Sequence, residues 1–505
     1  MHTPTTESPE GLLTRTALPL ILRGFVIAGF QHLGKRVIFA KTDESLLTTY
    51  AVYSAIEGFI FILIFRGLRI VSATVSHVYA KEKNPAENAT YNPIEIGAVY
   101  RQGVMFGCVL MIPTALLCFS APLIFRWTQQ SDEVIQQSAS YFSWGFLSYF
   151  IDMLYRSRAR VDIGMSNSFP ILIGDIAESI LDVMLTYILV DGKLGLPKMG
   201  VTGGAVAYAF ASAITALGYN LYSYCKADFE KYQFYHFSLN ELKETLLSEK
   251  FAKMIVGGFH IAFRYSILYI TLMLTTFLCG LSGSGALAGL QAAGAYSYIM
   301  TLPIAGLSEA ASVVIGRLLK NNLDKAKEIG DTVITIASAF SCLSAVALFA
   351  FINPVAGMFV DRALHEKDFQ MVKQFLCIQA VMEIISSVGN TSASALIGFL
   401  ETQYPFLLGL LFIFALNSLL SLTTYFGFQH NATAMYAIQT VGLLFNSVGV
   451  YMRWNKKKDE DQDKNKALPM DPNAILSRAK TTLFRESPRR FAAEIEAPLP
   501  DPTPV

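Results

Sequence analysis

Residues 288–320 read AGLQAAGAYSYIMTLPIAGLSEAASVVIGRLLK. No charge appears before Glu309, and the stretch closes on Arg317 and Lys320. A bilayer core of about 30 Å takes about 20 helical residues, so the uncharged part alone is long enough to cross it. A helix satisfies its own backbone hydrogen bonds in lipid, which an open strand cannot do. The segment therefore predicts a membrane-crossing helix, and its surplus length predicts tilt or bending.

The same reading repeats along the chain. Of 505 residues, 53% are hydrophobic and 16% charged, against about a quarter charged in soluble domains. Apolar spans predict helices near 16–40, 46–79, 97–121, 138–160, 168–190, 200–225, 253–280, 286–318, 330–356, 373–399, 404–428 and 432–453. The expected fold class is an all-α polytopic membrane protein, with about twelve transmembrane helices in two six-helix pseudo-repeats. Its parts are an N-terminal segment 1–15, an N-lobe 16–225, a linker 226–252, a C-lobe 253–453 and a disordered tail 454–505. A soluble two-domain protein is excluded, because these spans would have nothing to bury against. Glu7 and Glu10 precede a first apolar run too long for a signal-peptide core, so the chain is expected to insert and stay.

Lys and Arg set the orientation. With the N-terminus inside, the inner face receives Lys81, Lys83, the cluster Arg156, Arg158 and Arg160, and the linker residues Lys226, Lys231, Lys243, Lys250 and Lys253. It also receives Lys320, Lys325, Lys327, Arg453 and Lys456 to Lys458. The outer loops hold only Arg126, Lys193, Lys198, Arg362 and Lys367. This asymmetry predicts both termini and the linker in the cytoplasm, with the inner (plasma) membrane as the location. A net charge of +1 gives no field for nucleic acid. The six scattered cysteines read as packing residues, and no histidine spacing suggests a metal site. No nucleophile–base set can be assembled, so no enzyme is expected.

The two halves echo each other. Gly67-Leu68 matches Gly306-Leu307, Ala121-Pro122 matches Asn353-Pro354, and Gly164 with Pro170 matches Gly398 with Pro405, at offsets of 232 to 239 residues. A parallel six-helix repeat is a transporter signature, with the solute path between the halves.

On these residues the sequence resembles the multidrug and toxic compound extrusion (MATE) family, within the wider multidrug/oligosaccharidyl-lipid/polysaccharide exporter superfamily. Residues 288–320 look like the family's eighth helix, including Gln291, the bend from Pro303 to Gly306, and Gly316-Arg317. Leu185 to Leu189 and Gly195 to Gly204 look like its junction of helices five and six, and Ala17 to Leu22 like its opening. The resemblance implies a two-lobe antiporter, coupled to protons or sodium, that exports amphiphilic solutes without a cofactor. A monomer in the lipid bilayer with a small-molecule solute is expected.

The chain departs from that pattern. Gly34 stands where the first-helix aspartate is expected, followed by Lys35 and Arg36. The fifth-helix Asn-x-x-x-Asp pair falls on Asp182 and Thr186. The seventh-helix carboxylate of some members falls near Leu268, and the tenth-helix one near Ser386, a turn from Glu383.

The intramembrane charges are the functional candidates. Asp175, Glu178 and Asp182 share one face of the fifth helix at i, i+3, i+7. Facing lipid, three acids would cost roughly 7–10 kcal/mol, so they face a cavity, a partner, or both. They are the ion-coupling candidates, Asp182 foremost, with Lys35 or Arg36 able instead to lock it as an anion. Arg23, Arg66, Arg69 and Arg264 are the candidate structural partners. The solute cavity is expected among Thr186, Arg66, Arg264, Gln291, Glu309 and Glu383. The acidic stripe favours a cationic solute, and the arginines pull the other way. Two other functions stay open: a flippase for anionic lipid-linked saccharides, motivated by the buried arginines, and a transport-dead scaffold that binds a partner through its tail.

Overall fold

The structure is a computed structural model that describes residues 8–27, 31, 34–83, 92–225, 228–236, 239–319, 322–363, 365–427 and 431–467. Among these residues it is built of α-helices, with short 3-10 and π-helical segments and no strand. The first helix runs Pro9–Val26 and resumes at Gly34–Thr42, and the second runs Glu44–Gly67 and Arg69–Lys83. The next four are Ile94–Trp127, Asp132–Gly164, Phe169–Asp191 and Gly200–Tyr224. Short helices Asp228–Tyr232 and Leu239–Leu246 fill the linker. The second half holds Glu249–Ser282, Ser284–Leu318, Leu323–Ala350 and Glu366–Gly398 as helices seven to ten. The eleventh combines Gln403–Leu408, Gly409–Leu416 and Asn417–Gly427, and the twelfth is Ala432–Ala467.

Local chemistry sets several boundaries. The Ser8 hydroxyl accepts from the Gly11 amide, with Pro9 and Glu10 in the first turn, so the first helix starts well before residue 16. The second helix breaks at Leu68, where the Val71 amide reaches back only three residues to the Leu68 carbonyl. The glycine-rich join between helices seven and eight is a single break at Gly283, whose φ of 118° suits only glycine.

The repeat is visible in three dimensions. The fourth helix ends with Ser166 at φ 62° and a hydrogen bond from the Asn167 amide to the Asp162 carbonyl. The tenth ends with Leu400 at φ 58° and the same bond from Glu401 to Leu396. A Cβ on Gly164 would meet Val75 and the Ser72 carbonyl, and one on Gly398 would meet Ile315 and the Ser312 carbonyl. Each lobe thus seats the end of its fourth helix on its second through the same glycine contact.

The halves meet along the first and eighth helices and along the second against the seventh and eighth. The first and eighth touch backbone to backbone. A Cβ on Gly24 would lie 2.8 Å from the Leu302 carbonyl, and one on Gly306 would collide with that of Leu20.

Nine helices among the described residues are long and apolar enough to cross a membrane. The first, fourth and fifth are not in that set. Ile112, Leu116, Phe119 and Leu123 form an exposed apolar stripe along the third helix, a surface that lipid covers at no cost.

Two sequence expectations are corrected here. Arg156, Arg158 and Arg160 are not loop residues: the fourth helix continues to Gly164 and buries all three. Trp454 is not the start of a loose tail. It is fully buried, its indole donates to Asp331 at 2.8 Å, and its ring meets Phe399 edge-on. The twelfth helix then continues to Ala467; the tail from 468, like Lys226 and Lys320 of the basic inner set, lies outside the described residues.

Candidate functional site

The fourth helix carries Asp152 and Arg156 one turn apart, and the fifth carries Asp175 and Glu178 facing them. The Arg156 guanidinium spends every arm on a carboxylate. Nε reaches Asp152 at 3.0 Å, Nη1 ion-pairs with Asp175, and Nη2 reaches Glu178 at 2.9 Å. Arg23 of the first helix closes on the other oxygen of Asp175. Three hydroxyls complete the set: Tyr155 donates to Asp175 at 3.1 Å, Tyr208 to Asp152 at 2.9 Å and Ser212 to Glu178 at 2.8 Å. The three carboxylates are buried. By direct contact they face two guanidinium groups, which leaves one negative charge without a cation. The network joins helices one, four, five and six.

Asp182 sits apart, one turn further along the fifth helix. Lys35 Nζ lies 2.8 Å from its Oδ2, Gln31 donates to the same oxygen at 3.4 Å, and the Thr186 hydroxyl donates to Oδ1 at 3.5 Å. The ammonium that follows the vacant first-helix position therefore pairs with Asp182 one to one. It also reaches the Gly204 carbonyl at 3.5 Å and lies 5.1 Å from the Tyr208 ring centre.

A narrow cleft is lined by Arg66 of the second helix and otherwise by residues of the C-lobe. Arg66, Tyr265, Asn390 and Ser387 line it with Thr301, Glu383 and Ser386, and Ile304 and Ala305 give it an apolar floor. Glu383 has no ion-pair partner among the described residues. Its carboxylate accepts from Ser297, from Gln379 at 3.2 Å, from Thr301 at 3.2 Å and from Ser386 at 3.3 Å. Arg66 lies over the Tyr265 ring, 4.6 Å from its centre.

The sequence candidates divide accordingly. The structure brings Asp175 and Glu178 together, places Asp182 and Thr186 beside them, and puts Arg66 and Glu383 on the cleft wall. Arg264 stands one hydrogen bond behind that wall, donating to Asn390 at 3.3 Å. Glu309 is buried away from the cleft lining in an ion pair with Arg160, and Gln291 is exposed elsewhere on the eighth helix. Of the four arginines named as partners for the fifth-helix acids, only Arg23 serves. Arg66, Arg69 and Arg264 meet tyrosine, serine and asparagine side chains, because the second and seventh helices turn them toward Tyr265 and the tenth helix.

Sequence reasoning missed three groups. Asp152 lay inside the expected span 138–160 without being singled out, and Arg156 was counted among the inner-face charges, although their i, i+4 spacing signals a helical ion pair. Glu57 on the second helix accepts from Tyr141 at 2.8 Å and Tyr149 at 3.2 Å. A lone acid in an apolar span was its signal. Among the described residues, no group of three or more His, Cys, Asp and Glu is arranged to hold a metal.

Known proteins agree with this architecture. The MatE family model matches residues 261–426. The chain is 23% identical over 367 residues to a probable multidrug resistance protein NorM of Synechocystis sp., covering 72% of this chain and 78% of that protein. It is 24% identical over 315 residues to the NorM protein of Pasteurella multocida, covering 61% of this chain and 65% of that one. Against a Bacillus cereus NorM protein the match spans 56% of the relative's length. Among solved structures, an outward-facing multidrug resistance MATE family transporter of the MOP superfamily matches with a TM-score of 0.76 at 14% identity, covering 91% of this chain and 99% of that one. The eukaryotic MATE transporter AtDTX14 matches with a TM-score of 0.78 at 15% identity, covering 90% and 98%. At such identities these structures establish the shared fold.

Proposed function

We propose that this chain, similar to MATE-family transporters in sequence and fold, is an antiporter exporting small amphiphilic organic solutes against a proton gradient. The observation that carries the reading is the charge imbalance on the fourth and fifth helices. Asp152, Asp175 and Glu178 face only Arg23 and Arg156. In a low-dielectric interior an unmatched charge is expensive, and one proton shared by the three carboxylates removes it. A proton suits the site better than sodium. Sodium needs several free oxygens around it, and here guanidinium and hydroxyl donors already occupy them.

Glu178 is the candidate carrier: Asp175 is held by two arginines, and of the two acids that otherwise share Arg156, Asp152 has the stronger phenol donor of Tyr208 and Glu178 only the Ser212 hydroxyl. A proton on Glu178 removes the charge behind its contact with Arg156 and leaves the other contacts in place. The consequence reaches the C-lobe through the first helix. Arg23 is in the network, and the next residue, Gly24, packs its backbone on Leu302 of the eighth helix. A shift of Arg23 therefore moves the seam between the lobes, which is the two-state element that coupling requires. In this reading Asp182, neutralised by Lys35, holds helices together, and both termini and the linker lie in the cytoplasm.

Flux in proteoliposomes, with pH and sodium gradients imposed separately, tests the proposal. Solute counterflow is expected under the pH gradient alone. Glu178→Gln is expected to cut that flux at least about tenfold while solute binding persists. Flux driven by sodium alone, or a well-folded Glu178→Gln protein with unchanged pH-driven flux, overturns it.

A further inference from the structure

The cleft is better equipped for an anion than for a cation. Three guanidinium groups gather at one end of it, and none has a carboxylate partner among the described residues. Arg66 and Arg69 flank the break of the second helix at Leu68, and Arg264 comes from the seventh helix. Arg69 is 1% exposed and Arg264 5%. Their partners are tyrosine, serine and asparagine side chains. Arg69 donates to the Tyr265 hydroxyl and to Ser394, each at 3.3 Å, and Arg264 donates to Asn390 at 3.3 Å. Arg69 Nε and both Nε and Nη1 of Arg264 are buried with no hydrogen-bond partner. Buried charges are ordinarily paired, so three guanidinium groups with no carboxylate beside a cleft favour a ligand that brings the missing negative charge.

The lone acid of the cleft is in the opposite condition. A carboxylate offers about four lone-pair positions, and Glu383 receives Ser297, Thr301, Gln379 and Ser386. Its acceptor capacity is filled by its own surroundings. The unused capacity in this cleft is donor capacity, and it is cationic.

We infer that the cleft binds the oxyanion of an acidic amphiphile, a carboxylate or a phosphate monoester. Arg66 on the wall makes the direct contact, Arg69 and Arg264 supply charge from behind, and the apolar residues Ile304 and Ala305 take the start of its chain. Guanidinium is the cation whose planar donors match such oxygens. The inference rests on the transport reading above only for the route by which the ligand leaves. Binding itself needs no gradient.

The test uses the full chain in phosphatidylcholine nanodiscs, with radiolabelled laurate, dodecyl phosphate and dodecyltrimethylammonium as probes and empty nanodiscs as background. Saturable binding of at least one anionic probe, tighter than the matched cation, is expected. The tighter of the two anions identifies the source as a carboxylate or a phosphate. Arg66→Gln is expected to weaken anion binding at least about tenfold, the worth of one charge-assisted hydrogen bond, and Arg66→Lys to restore part of it. Arg66→Gln keeps a polar side chain at a partly exposed wall, and a monodisperse elution profile checks its fold. If Arg66→Gln does not fold, competition decides: excess dodecyltrimethylammonium displacing the anion as well as unlabelled anion does would overturn the inference. So would unchanged anion affinity in folded Arg66→Gln, or a preference for the cation in the wild type. Proton-driven export of a cationic dye without anion binding sinks this inference and spares the transport reading. Anion binding without gradient-driven flux does the reverse.

Discussion

Asp182→Asn separates a structural ion pair from a coupling group. The substitution keeps the side chain's shape and removes its charge. Lys35 is then left with the Gly204 carbonyl at 3.5 Å, the Tyr208 ring at 5.1 Å, and no carboxylate in contact. Removing one partner of a buried pair costs about 3–5 kcal/mol. The pair qualifies as buried, since the side chains of Lys35 and Asp182 are 10% and 0% exposed. The Tyr208 contact is already present in the wild type and offsets nothing, so the full loss of about 3–5 kcal/mol is expected. Lys35→Met should cost a similar amount, by stranding the carboxylate. The double variant should recover to within about 1 kcal/mol of the wild type, because exchanging a whole buried pair for neutral groups is nearly neutral. The assay is a double-mutant cycle on thermal unfolding in one detergent, with pH-driven flux measured on the same samples. The reasoning is refuted if Asp182→Asn unfolds with the wild type yet loses its gradient-driven flux. That outcome would make Asp182 the coupling carboxylate and Lys35 its regulator.

Other outcomes are expected from the packing. Gly306→Leu drives a side chain into the Leu20 backbone, which cannot swing aside. Overpacking there costs about 1–3 kcal/mol or more, and folded yield should fall, while Gly280→Ala, whose Cβ meets nothing within 4 Å, should not lower it. Ending the chain after Trp454 should preserve stability and flux, whereas ending it after Arg453 removes a buried indole and should lower the thermal midpoint, a loss of about 3–5 kcal/mol. Flux lost in the chain that ends after Trp454 would give the tail a role in transport. A cysteine placed at position 240 in a cysteine-free background should resist impermeant reagents added outside intact cells. Its labelling, with a cytoplasmic control unlabelled, would reverse the topology.

The sequence by itself determined the architecture. Apolar runs of bilayer length have one stable form in lipid, so the twelve helices could be located to within several residues at most ends. Most errors lay at polar ends, such as Pro9 to Arg15, and where the fourth helix carries Asp162 and Gly164 past residue 160, because a hydropathy reading cannot distinguish a buried charge from a solvated one. The offset between halves was also legible, since Gly164 and Gly398 are required by the same close contact in each lobe. The identity of the intramembrane charges was legible too, because any charge in an apolar span stands out. Their partners were decided only by the tertiary structure. Arg156 meets Glu178 from a different helix, and Lys35 meets Asp182 across the N-lobe. Such pairs depend on how each helix is rotated about its axis and how far it is slid along its neighbour. Those two quantities are set by packing at positions such as Gly24 and Gly306, and a list of residues does not contain them. The same rotation leaves Arg66, Arg69 and Arg264 without a carboxylate, while Asp175, from an otherwise similar set of candidates, holds two arginines.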